Sequence, residues 1–253
     1  MGFASRSVVK LVRILNATMS TRTLQRLVLF CLIVFALASC KSQSSIRILL
    51  IGNSFITYNG GVAKQLQAIA PSADIAEIAV GGYTLEDHWN KGDALKTIQQ
   101  GGRTFVVLQE QSQTPVFSRQ KFFDAVRKFN SEILKNKATT ILLMTWERPD
   151  SARSGVTAEN LASAYQSIGT QLGIIIAPAG LAFARSRREK PELALSIQDG
   201  HPTPSGTFLA ACVLYAKLMK QNPIGNAYTD ASIAPEVGNY LKRVAWETVD
   251  GGQ

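Results

Sequence analysis

Short β-rich apolar runs alternate with longer segments of helical period, and this alternation restricts the fold more than any other feature of the sequence. Residues 47–51, 75–79, 105–108, 140–145 and 173–177 each have the length of a buried strand. Between them, residues 62–70, 118–135 and 158–172 carry apolar positions at helical spacing, with Phe122, Val126, Phe129 and Ile133 on one stripe. An apolar helix follows at residues 204–219, then a linker at 222–234 and a last helix starting near Pro235. The pattern predicts one α/β domain over residues 46–253, with a five-stranded parallel sheet, helices on both faces and right-handed crossovers. Sites in such folds sit beyond the carboxyl ends of the strands.

Charge is placed unevenly along the 253 residues. Of 27 Lys+Arg, five (Arg6, Lys10, Arg13, Arg22 and Arg26) precede residue 40 with no acid among them, which leaves 22 bases against 18 acids from Lys41 onward. The basic balance therefore belongs mostly to a leader, and no clustered basic face with interleaved aromatics argues for nucleic acid. Residues 27–38 are uncharged; twelve apolar residues suit a signal-peptide core and fall short of the ~20 needed to span a bilayer. Residues 1–39 are expected to be a signal peptide, with 1–18 lying ahead of a second conventional start at Met19. Leu37-Ala38-Ser39-Cys40 resembles the bacterial lipobox, which implies lipidation of Cys40, residues 40–45 as a polar tether, and a membrane anchor at the cell envelope facing the periplasm or exterior. A retained single span is the competing reading. Cys212 is then the one cysteine of the folded part, inside an apolar stretch that suits a core residue. Zinc-ligand spacings are absent from the sequence and only two histidines, His88 and His201, occur, so neither metal nor organic cofactor is expected.

The first strand runs into Gly52-Asn53-Ser54, which puts a hydroxyl at a strand's carboxyl end just before a turn and a helix. Asn59-Gly60-Gly61 supplies a second permissive turn. Near the other end, Gln198-Asp199-Gly200-His201-Pro202 brings a base and a carboxylate together. Serine attack on a carbonyl needs a base to take its proton and an acceptor to fix the tautomer of that base. Each tripeptide alone also reads as an ordinary turn or helix cap.

Taken with the Gly81-Gly82-Tyr83-Thr84 loop and the polar run Gln109-Glu110-Gln111-Ser112, these segments resemble, in order, the blocks of the SGNH (GDSL-like) hydrolase superfamily over roughly residues 46–220. The resemblance implies a three-layer α/β/α flavodoxin-like fold and hydrolysis of esters without a cofactor. It implies Ser54 as nucleophile, His201 as base and Asp199 as its partner. It also implies an oxyanion hole made by the backbone N–H groups of Ser54 and Gly82, the better of the Gly81-Gly82 pair, and a side-chain amide. Two departures stand out. The third block carries Gln111 where the family has asparagine, with Gln109 as the alternate donor. The carboxylate lies two rather than three residues before the histidine, where the family's position is Gln198, and a Ser54/His201 dyad is the fallback.

Other candidates are weaker. Trp146, directly after a strand, and His88 are candidate wall residues for the substrate, with core packing the alternative. Ser118-Arg119-Gln120-Lys121 matches a Ser-x-x-Lys pattern without its companion motifs, so Ser118 reads as a helix N-cap. Arg185, Arg187, Arg188 and Lys190 form a basic cluster suited either to anionic lipid or glycan or to a solvated helix end. Gly-x-Ser-x-Gly, P-loop and Gly-x-Gly-x-x-Gly motifs are absent. The chain thus reads as a lipid-anchored envelope serine esterase acting on carboxylic esters, O-acetylated glycans among them. The alternative is a catalytically silent glycan-binding protein on the same scaffold.

Overall fold

Five all-parallel strands order the chain as β2-β1-β3-β4-β5 in the computed structural model, which describes residues 46–251. They are β1 (Arg47–Gly52), β2 (Asp74–Ala79), β3 (Phe105–Leu108), β4 (Thr139–Leu143) and β5 (Ile175–Ala177). The expected signal peptide and Cys40 lie outside the described residues. All five expected strands are present. The fourth stops at Leu143 rather than Thr145, because the three-residue β5 leaves no partner for a longer ladder. That strand is short at its start because Gly173 sits in the left-handed region (φ 65°) as the cap of the preceding helix.

Helices cover both faces of the sheet. Alternate residues of β1 point to opposite sides, Ile48 and Leu50 into one core and Leu49 and Ile51 into the other, and all four are fully buried. The first core is closed by α2 (Val62–Ile69), α8 (Ala179–Glu189), α9 (Pro204–Met219) and α10 (Pro235–Asp250), through side chains such as Leu66, Phe183, Phe208 and Leu241. The second is closed by α3 (Leu85–Lys91), α4 (Asp93–Gln99), α6 (Arg119–Lys135) and α7 (Ala158–Leu172), through Leu85, Ala94, Phe122 and Leu161. Two single-turn helices complete the set, α1 (Ser54–Thr57) after β1 and α5 (Thr114–Phe117) after β3. Helix α9 is apolar all round and buried along nearly its whole length, Cys212 included, and burial pushes that thiol up and out of reactive range.

Register fixes where the site forms. Gly52 pairs with Ala79, and Ile51 with Leu108, so the loops after β1, β2 and β3 leave the sheet at one level. With β1 lying between β2 and β3, the strand order reverses at this point, where doubly wound sheets open a crevice. Residues 46–251 lie in one compact unit.

Candidate active site

Ser54 is the first residue of α1, placed there by Asn53, whose side-chain Oδ1 accepts from the Phe55 N–H (3.1 Å) as an N-cap. The same side chain donates from Nδ2 to the Tyr83 carbonyl (2.9 Å), and the Asn53 backbone N–H donates to Gln109 Oε1 (2.9 Å). One residue thus ties the loops after β1, β2 and β3 together. Behind it, His88 is 3% exposed and its Nε2–H donates to the Gly52 carbonyl (2.7 Å). Burial holds that imidazole below its ordinary pKa, so it stays neutral, and the carbonyl acceptor fixes the proton on Nε2. A side chain at Gly52 would strike Gln109 Oε1 and Ile56, which explains a glycine at the end of β1 without any left-handed backbone.

The Ser54 hydroxyl donates to Nε2 of His201 over 2.8 Å, across 147 positions of chain. His201 is reached by the turn between β5's flanking helix α8 and α9, where Gly200 takes φ 92°. Asp199 Oδ1 accepts the His201 backbone N–H (3.0 Å), and its Oδ2 lies 2.9 Å from the ring Nδ1. That second contact is off the line of the ring N–H, so it is a close approach rather than an aligned hydrogen bond. The backbone N–H and then the imidazole hold the Asp199 carboxyl below the ordinary range, although its side chain is exposed. The alternate partner Gln198 is also exposed and makes no hydrogen bond with His201 among the described residues. Tyr58 stacks on the imidazole (4.1 Å between centroids, 16°), and Phe55 meets it edge-on at 5.3 Å. Asn59, itself at φ 55°, donates from Nδ2 to the Pro202 carbonyl (2.7 Å) and to Thr207 Oγ1 (3.2 Å), joining the serine loop to the histidine loop.

Three donors at this edge have no protein acceptor among the described residues: the Ser54 N–H, the Gly82 N–H and the Gln111 amide Nε2. Gly82 has φ 76° on an exposed loop, a conformation that a side chain would strain. Gln111 turns its Oε1 toward the start of α5, accepting from the N–H groups of Gln113 (2.8 Å) and Thr114 (3.1 Å), which leaves Nε2 as the outward end. Gln109, the alternate donor, is committed elsewhere: buried to 1% exposure, it accepts from Asn53 and donates to the Glu110 carbonyl.

Trp146 and His88 are not walls of an open cleft. Trp146 is 1% exposed, sandwiched between Phe55 (5.0 Å) and Phe183 (4.2 Å), and its Nε1–H donates to the Gly200 carbonyl (2.9 Å). An indole fits there because its polar edge finds a partner while both faces stay dry. Part of the basic cluster is committed to carboxylates, Arg185 to Glu189 and Glu247 and Arg187 to Glu147, while the Lys190 ammonium lies over the Tyr240 ring (4.6 Å). Ser118 stands at the N-cap position of α6 but makes no capping bond. Sequence reasoning passed over Tyr58 and Arg148, and took Asn59 only as a turn residue and Glu110 only as one of a polar run. Arg148 lays its guanidinium over Phe55 (5.7 Å), donates from Nε to Ser112 (2.9 Å), and packs its stem where any side chain at Gly200 would fall. Glu110 left a signal, as a charged residue two positions after a fully apolar strand. Among the described residues, no group of three or more His, Cys, Asp or Glu is placed to hold a metal ion.

No family model and no curated protein matches the sequence. Solved structures do. A protein proposed to be an SGNH hydrolase, from Slackia heliotrinireducens, is 26% identical, with a TM-score of 0.61 over 69% of this chain and 99% of its own. The chain has the SGNH hydrolase fold. A DUF4886 family protein from Bacteroides uniformis shares it at 17% identity, with a TM-score of 0.66 over 81% of this chain and 95% of that one. So does a mutant acetyl-xylooligosaccharide esterase from Geobacillus, at 15% identity and a TM-score of 0.55, over 68% and 94% of the two chains.

Proposed function

We propose that this chain is a serine esterase. The observation that carries the reading is the 2.8 Å contact between Ser54 Oγ and His201 Nε2 at the carboxyl edge of the sheet. Ser54 Oγ attacks the ester carbonyl while His201 takes its proton at Nε2; His201 then returns that proton to the departing alcohol, leaving an acyl group on Ser54. Water, deprotonated by the same nitrogen, attacks the acyl carbon and frees the acid, and Ser54 recovers its proton. Asp199 keeps the ring's other proton on Nδ1 and supports the imidazolium. The Ser54 and Gly82 N–H groups and the Gln111 amide meet the tetrahedral oxyanion. O-acetyl groups of glycans are one candidate substrate class, without help from Trp146, whose faces are covered. The place of action proposed is the cell envelope, through lipid on Cys40.

The test is hydrolysis of p-nitrophenyl esters from acetate to octanoate by the full chain in detergent, beside fluorophosphonate labelling. Ser54→Ala and His201→Ala are expected to lose turnover by at least about 10³-fold, and Ser54→Ala to lose the label. Asp199→Asn is expected to lose more than Gln198→Ala, which touches nothing in the site. Neither turnover nor labelling in the wild type would leave a binding protein on a hydrolase scaffold.

A further inference from the structure

Glu110 is a carboxylate with 1% exposure in a loop of an active-site edge, and no step of ester hydrolysis uses it. Its Oε1 accepts the backbone N–H of Gln111 (2.7 Å) and that of Leu85 (3.2 Å), with Oε2 at 3.4 Å from the same Leu85 nitrogen. No cation pairs with it among the described residues. The two donors belong to different loops: Gln111 follows β3, and Leu85 closes the glycine loop that follows β2. Local capping accounts for the rest of that turn. Thr84 Oγ1 accepts the Asp87 N–H (3.1 Å) and Asp87 Oδ2 accepts the Thr84 N–H (2.9 Å), a reciprocal capping box. The Leu85 N–H is left to a side chain 25 positions away.

The glycine loop has little else to hold it. Gly81 and Gly82 are exposed, an added Cβ at either would meet nothing within 4 Å, and Val80 is exposed as well. Beyond the backbone bond from the Val80 N–H to the Gly52 carbonyl (3.2 Å) at its start, its ties are the Asn53 bond to the Tyr83 carbonyl on one side and the Glu110 bond to Leu85 on the other. The Asn53 tie fixes the glycine loop relative to the nucleophile, and the Glu110 tie fixes it relative to the amide donor.

Resting on the esterase reading, we propose that Glu110 is the positioning residue of the oxyanion hole: its side-chain acceptor, bridging the Leu85 and Gln111 N–H groups, sets the distance between the Gly82 N–H and the Gln111 amide. The bridge needs an acceptor at that reach, not a negative charge. Glu110→Gln keeps an oxygen at the position of Oε1 and drops the charge. Glu110→Asp keeps the charge and withdraws the acceptor by one methylene. Glu110→Ala removes both and leaves two N–H groups buried without a partner.

The experiment measures kcat and KM on p-nitrophenyl acetate, with kcat expressed per serine titrated by the fluorophosphonate, so that misfolded protein drops out of the rate. Expected are a Gln variant within about 3-fold of wild type and an Asp variant reduced about 10-fold in kcat at unchanged KM, since an ångström of misplacement is worth up to roughly 100-fold. Ala, where it folds, falls further. An Asp variant as fast as or faster than Gln overturns the proposal in favour of a role for the charge. So does an unchanged kcat per titrated serine in all three, which assigns Glu110 to folding alone. A wild type that neither labels nor turns over refutes the esterase reading itself, a result distinct from either of these.

Discussion

At Glu110, burial pushes the carboxyl from 4.5 up to about 7, with the Gln111 and Leu85 N–H groups pulling the other way and Asp87 and Glu86 adding to the rise. A raised acid pKa means that between these two values the folded chain holds a proton that the unfolded chain has released. Stability from this group is therefore greatest at low pH and falls as pH rises toward 7, by about 3 kcal/mol in all. Glu110→Gln is expected to remove that slope. Urea denaturation of both proteins at pH 5 and pH 8 should show the variant gaining on the wild type at the higher pH, and parallel shifts would place the ordinary pKa on Glu110. The sequence offered this residue only as one of a polar run. A side chain's burial depends on what packs over it, here Leu85 and α5, and no local pattern states that. Asp199 was more legible, because residues two apart in an extended turn face one way, but the off-line approach of its Oδ2 to the ring was not.

Elements were readable to the extent that their period was. The stripe Phe122, Val126, Phe129 and Ile133 gave α6, and all four side chains are fully buried. At Trp146 the packing alternative holds over the wall reading, for a reason of the same scale: the position after a strand says which end of the sheet a residue occupies, not whether a neighbouring helix covers it, and Phe183 of α8 does. The indole joins two elements, its ring packed under α1 and its N–H holding the turn that carries His201. Trp146→Phe keeps a flat ring and loses the bond, leaving the buried Gly200 carbonyl unpaired. The expected cost is roughly 1–3 kcal/mol of stability, read by thermal melting, with a lower kcat and an unchanged KM for short esters. A higher KM at constant kcat would return Trp146 to the substrate's surroundings.

For the whole molecule, a parallel sheet with helices on both faces and a site beyond its carboxyl edge follow from alternation and right-handed crossovers, whereas the strand order β2-β1-β3-β4-β5 does not. What lay beyond reach was the set of long-range ties, such as Asn59 to Pro202, that decide which loops touch. The leader belongs to this scale too. If Cys40 carries the anchor, Cys40→Ala expressed in a bacterial host should lose incorporation of labelled fatty acid and leave the membrane fraction. Retention in membranes without label would favour an uncleaved span instead.

Ser54 and His201 are separated by 147 positions. At about 5–20 residues per second of synthesis, the hydroxyl leaves the ribosome roughly seven to thirty seconds before its base exists. During that interval β1, β2 and β3 can pair, yet the serine faces no imidazole and is an ordinary alcohol. Under the proposed esterase reading, reactivity arrives late and all at once, with the docking of the turn ahead of α9, and a fragment ending before residue 201 carries no base for Ser54.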